Sequence, residues 1–164
     1  SISVEMGQVS FHSDIVPIAV VGEAREVLNE DLVIKGATYQ YFGATIGNPH
    51  CVVPLPEISQ DLALSLGPEL ENHFLFPNRT NVQLLQILGR NRIRIEIWER
   101  GAGLTKACGT AACATAFAAK LNNLCNDKTD IEFENGKLSI SIDEKNSIHM
   151  KGPVSDIKEI EINL

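Results

Sequence analysis

Cys108, Gly109 and Thr110 stand where a glycine-bearing segment, Glu99-Arg100-Gly101-Ala102-Gly103, gives way to a run of alanines. From Thr110 to Leu121 that run holds Ala111, Ala112, Ala114, Ala116, Ala118 and Ala119, with Lys120 as its only charge. Alanine is the strongest helix former, so Cys108 falls at a helix start. There the unpaired backbone N–H groups and the positive end of the helix dipole favour an anion, and a cysteine so placed is a candidate reactive thiolate. Gly109 lets backbone approach a ligand closely, and the N–H groups of Gly109 and Thr110 could hold a carboxylate or oxyanion. The competing reading is inert packing, the usual fate of a free cysteine, and it is preferred for Cys51, Cys113 and Cys125. Cys113, five residues on, lies about 140° further around the helix and shares no site with Cys108.

Other polar residues sit where strands or turns should end: Asn48 and His50 in Asn48-Pro49-His50, Asn81 just before an apolar run, and Glu99-Arg100 after Trp98. Each alone reads as a turn or a surface ion pair. Together they supply amides, an imidazole, a carboxylate and a guanidinium, a set suited to a zwitterion such as an amino acid. Two other motifs fail. Gly101-x-Gly103 before a helix suggests a dinucleotide fingerprint, but Lys106 occupies the third glycine position. A phosphate-binding loop fails too, because no glycine precedes that lysine.

These residues must be positioned by a fold of 164 residues, 44% hydrophobic, enough for one ordinary domain. A net charge of −7 argues against nucleic acid or an anionic membrane surface as partner. Arg90, Arg92 and Arg94 alternate with apolar residues as a solvated strand face does. No apolar run reaches the ~20 residues a membrane helix needs, and the opening residues show no signal-peptide pattern. Four cysteines without paired zinc spacing suggest neither a metal site nor a disulfide scaffold, and a reducing, cytoplasmic setting is the default.

Period-two alternation marks strands at Ile93–Ile97, Leu138–Ile142 and Ile160–Leu164, and residues 32–46 and 82–88 also read as strands. Asn135-Gly136 predicts a hairpin between Ile131–Glu134 and Lys137–Ile142. A first helix follows Pro56, with Leu62, Leu66 and Leu70 at helical spacing, and Gly67-Pro68 is expected to break it in two. The second helix is the alanine run. With no polar face it should be buried on all sides. The expected fold is α+β, a curved, mostly antiparallel sheet or barrel wrapped around that helix.

The stretches GNPHCVV (47–53), ALSLGPELENHFLFP (63–77), FPNRTNVQLLQI (76–87), WERGAGLTKACGTAACA (98–114) and MKGP (150–153) resemble, in order, the C-terminal half of the diaminopimelate epimerase family. The resemblance implies an isomerase that interconverts LL- and meso-diaminopimelate in lysine biosynthesis with no cofactor, neither pyridoxal nor metal. In that family two cysteines work from opposite faces of the α-carbon, one removing the proton and the other returning it. Cys108 matches the second of them. Gly109 and Thr110 match the amides that grip the reacting carboxylate. Asn48, Asn81, Glu99 and Arg100 match residues that hold substrate, mainly at its distal end, and His50 and Glu99 match neighbours that tune the thiols.

Two departures are present. Ala111 replaces a usual glycine, and the first domain's Cys-Gly-Asn motif is missing. With Ser1 rather than Met at its start, residues 1–164 read as a C-terminal domain whose N-terminal partner domain is absent. Such a half is expected to be inert alone, and its exposed face favours a homodimer. The alternatives are a proline racemase-like or phenazine-biosynthesis-like isomerase of the same fold, or a non-catalytic binding module.

Overall fold

In chain order the elements are β1 (Ile2–Gly7), β2 (Glu30–Ile34), β3 (Ala37–Thr45), β4 (Pro49–Pro54), α1 (Gln60–Glu71), β5 (Asn81–Gly89), β6 (Arg92–Glu99), β7 (Gly103–Thr105), α2 (Gly109–Leu121), β8 (Lys128–Phe133), β9 (Gly136–Ile142) and β10 (Ile148–Gly152). This computed structural model describes residues 2–153, and the strand expected at Ile160–Leu164 lies outside them.

The sheet runs β1-β10-β9-β8-β6-β5-β4-β3-β2, with β7 added beside β6. Its pairs are antiparallel except β4–β5 and β6–β8, which are parallel. It curls around α2, which packs against β3, β4, β5, β8, β9 and β10. The curl stays open: β1 and β2 are its two ends. From Ala111 to Ala119 every residue of α2 is buried, so the alanine run forms the axis of the domain. Small side chains let six strands approach one helix, and Phe42, Val52, Leu85, Ile95, Ile97 and Ile140 fill the space between.

The outer face of the sheet carries a second core. There α1 lays Ala63, Leu66 and Leu70 against Cys51, Val53, Val82 and Leu84. Central strands are therefore apolar on both faces, which is why β4 and β5 read as nearly continuous apolar runs.

Three local expectations change. The segment 32–46 is not one strand but two, turned at Lys35-Gly36, whose φ values are 48° and 81°. The β8–β9 hairpin exists, but Phe133 pairs with Gly136, so its two-residue loop is Glu134-Asn135. Helix α1 is continuous through Gly67-Pro68. Pro68 removes the helical partner of the Leu64 carbonyl, and Leu64 is half exposed, so water can take its place.

Gly67 is required for a different reason. A Cβ there would lie 2.4 Å from Trp98 Cγ. Gly67→Ala should therefore destabilise the fold by about 1–3 kcal/mol in denaturant unfolding, although alanine is the better helix former. A neutral or stabilising outcome would refute the close packing of Trp98 on α1.

Candidate active site

Strand directions bring the expected residues together. Parallel pairing of β4 with β5 sets His50 opposite Asn81, with both strands starting at the same rim. Antiparallel β6 ends there, so Glu99 and Arg100 arrive beside them. The start of α2 completes the rim.

Cys108 is the N-cap of α2, in extended conformation (φ −153°, ψ 119°), and its side chain makes no capping bond. The first helical bond runs from the Ala112 N–H to the Cys108 carbonyl. The amides of Gly109, Thr110 and Ala111 thus precede the helical ladder, as a helix start dictates. Gly109 is close-packed: a Cβ would come 3.2 Å from Met150. Ala111 is fully buried in the core, so its methyl is accommodated.

The half-buried sulfur of Cys108 lies 3.3 Å from Thr110 Oγ1. Asn48 Nδ2 donates to that oxygen at 3.4 Å. Asn48 Oδ1 lies 3.0 Å from His50 Nε2, and Gln83 Nε2 lies 3.0 Å from His50 Nδ1. His50 does not touch the thiol. Its connection runs through Asn48 and Thr110.

His50 is fully buried, and burial lowers its pKa from 6.5 to about 4, helped by the Arg100 charge and opposed by the Gln83 hydrogen bond. An unfolded chain takes up this proton first, so stability is complete above about pH 6.5 and falls as the pH drops toward 4. At 1.36 kcal/mol per unit the loss is about 3 kcal/mol. Denaturant unfolding across that window should show this slope in the wild type and lose it in His50→Gln. Equal slopes in both would refute a buried neutral imidazole.

The remaining residues form a second group tied to the first. Asn81 donates through Nδ2 to the Pro49 carbonyl (3.0 Å) and accepts the Arg100 N–H at Oδ1 (2.8 Å). It clips the start of β4 to the end of β6 and retains one N–H and one lone pair. Glu99 is half-buried and accepts the Thr105 hydroxyl (3.0 Å). Among the described residues no hydrogen bond joins it to Cys108 or His50. Arg100 is exposed, with Nη1 donating to the Asn78 carbonyl (3.1 Å).

Two contributors were not foreseen from sequence. Glu71 is a buried carboxylate at the end of α1. It accepts the Gly101 N–H (2.8 Å) and Arg79 Nη1 (3.1 Å) at Oε1, and Trp98 Nε1 (3.0 Å) at Oε2. It thereby holds the corner after Glu99-Arg100, where Gly101 takes φ 77°. The signal was its place on the stripe Ala63, Gly67, Glu71, whose members all face inward. Gln83 is the other, a fully buried amide on the α2 side of β5. Its signal was a polar residue in a strand apolar on both faces.

Cys51, Cys113 and Cys125 are buried. Burial raises all three thiols, that of Cys113 to about 12 with help from the nearby Cys108. A cleft of about 700 Å³ on the outer face of β8–β10, lined by Lys128, Asp130, Ser139 and His149 among others, contains none of the site residues. Among the described residues no helix is long and apolar enough to cross a membrane.

The helix-centred curled sheet is a diaminopimelate epimerase-like fold. A hydroxyproline epimerase from Agrobacterium vitis, solved with trans-4-hydroxy-L-proline, matches with a TM-score of 0.61 at 12% identity, over 93% of this chain and 50% of that one. The family model for diaminopimelate epimerase matches residues 42–157, and this chain belongs to that family. A diaminopimelate epimerase of Pelagibacter ubique is 60% identical over 119 residues, 73% of this chain and 43% of its own length. Diaminopimelate epimerase 2 of a Nostoc species is 41% identical over 163 residues, 99% of this chain and 56% of its own. The chain spans about half the length of the curated relatives it matches.

Proposed function

We propose that this chain is the C-terminal domain of a two-domain, cytoplasmic diaminopimelate epimerase. Cys108 is the acid–base thiol on one face of the α-carbon, and the N-terminal domain supplies its opposite number. The observation that carries this reading is the half-buried Cys108 at the start of α2, beside amides that precede the helical ladder.

An α-hydrogen of an amino acid is weakly acidic, so the developing negative charge needs fixed donors. The amides of Gly109 and Thr110 supply them where the reacting carboxylate would sit. Cys108 then takes or returns the proton. Asn48, Asn81, Glu99 and Arg100 hold the distal amino-acid head. Asn81 and Glu99 do so with the valences left by their bonds to Pro49, Arg100 and Thr105. The other three cysteines are buried, so the chain alone presents one base where inversion needs two, and it should not turn over.

The test is solvent deuterium exchange by the full-length protein, offered diaminopimelate and proline in parallel. Exchange into diaminopimelate alone supports the reading. Exchange into proline alone transfers the chain to another epimerase of this fold, and exchange into neither favours a non-catalytic module.

A further inference from the structure

Gln83 is wholly buried, its nitrogen is bonded to His50, and its Oε1 has no hydrogen-bond partner. Either way round, a buried amide with a single partner leaves one end unpaired, so what matters is which end faces His50.

That choice sets the direction of the bonds. An amide N–H only donates, so His50 Nδ1 must accept, and Nε2 must carry the ring hydrogen. That N–H donates to Asn48 Oδ1, which turns Asn48 Nδ2 toward Thr110 Oγ1. A hydroxyl that accepts from an amide keeps its own hydrogen to give, and Cys108 Sγ is 3.3 Å away. We propose that Gln83 is a positioning residue: by fixing the Nε2–H form of His50, it aims the Thr110 hydroxyl hydrogen at Cys108 Sγ, the arrangement a thiolate accepts. The reverse polarity, with the Gln83 carbonyl accepting from Nδ1–H, would turn every bond around and leave Thr110 as acceptor for a protonated thiol. The proposal rests on Cys108 being the working thiol.

Two readouts test it in the full-length protein. The first is the ¹⁵N spectrum of the His50 ring, assigned with His50→Gln. The second is iodoacetamide alkylation of Cys108, followed by peptide mass and compared between neutral pH and the alkaline limit. The wild type should carry its proton on Nε2. Gln83→Leu should give a mixture of ring forms and slow neutral-pH alkylation about threefold to tenfold, leaving the alkaline limit unchanged. Thr110→Val should slow it comparably without altering the ring, and the double variant should be no slower than either single one, because both break the same chain. A ring protonated on Nδ1 in the wild type overturns the proposal. So does a Gln83→Leu variant whose ring changes while alkylation does not, or additive losses in the double variant. Were Cys108→Ala to retain epimerisation while these results held, the function would fall and the bond polarity would stand.

Discussion

Cys108→Ala in the full-length protein should lower kcat for epimerisation of LL-diaminopimelate by roughly 10²–10⁴-fold, the usual contribution of a positioned acid–base group. KM should change little, since the groups proposed to hold substrate remain: the Gly109 and Thr110 amides, and Asn48, Asn81 and Arg100 around the rim. Cys108→Ser should lose nearly as much, because it keeps the shape and removes the thiol. No other cysteine can substitute. Cys113 is enclosed on another side of α2 with its thiol raised to about 12, and Cys51 and Cys125 are buried. Turnover and loss of α-deuterium should fall together. An Ala variant within tenfold of wild type would end the assignment of Cys108 as a base.

Glu71→Leu should cost about 2–4 kcal/mol in denaturant unfolding. The substitution roughly preserves volume but strands the half-buried Trp98 ring N–H, about 1–3 kcal/mol when unpaired, and loses the Gly101 hydrogen bond, about 0.5–1.5 kcal/mol net because that exposed amide can turn to water. The half-exposed Arg79 head is solvated and adds little. Burial pushes the Glu71 carboxyl up. The hydrogen bonds from Trp98 and Gly101 and the charges of Arg79 and Arg100 outweigh it, so the group sits below its ordinary value. A depressed carboxyl contributes stability at neutral pH that is lost as pH falls. Glu71→Gln, which can keep part of the network, should lose less than Glu71→Leu. A loss below about 1 kcal/mol for the leucine variant would show that the corner after Arg100 is held by something else.

Much of this was legible because periodicity and chemistry agreed. The alanine run had to be buried, and a cysteine at its start had to meet unpaired amides. Glu99 and Asn81 were found as strand-end residues without the bonds that define them. Asn81 is a backbone clip to Pro49 and Arg100, and Glu99 faces Thr105 across the β6–β7 turn. Such partners depend on parallel or antiparallel pairing, which alternation along one strand does not encode. The same holds for Gln83 and His50, 33 residues apart in sequence and neighbours only because β4 and β5 run the same way. Gly67-Pro68 misled for a different reason. Helix-breaking propensity is local, whereas Trp98 fills the space the missing Cβ leaves, and α1 continues.

The enclosure of α2 sets what can be re-engineered. The helix presents buried side chains all around between Ala111 and Ala119, so a larger residue on that stretch must displace the core packed against it. The thiol is mounted on the least adjustable part of the molecule. Arg100, at the exposed rim, can be exchanged without disturbing a core. Retargeting the proposed site should therefore proceed by rewriting the rim while leaving the axis intact. Libraries that include α2 should lose folded members faster than they gain new specificities.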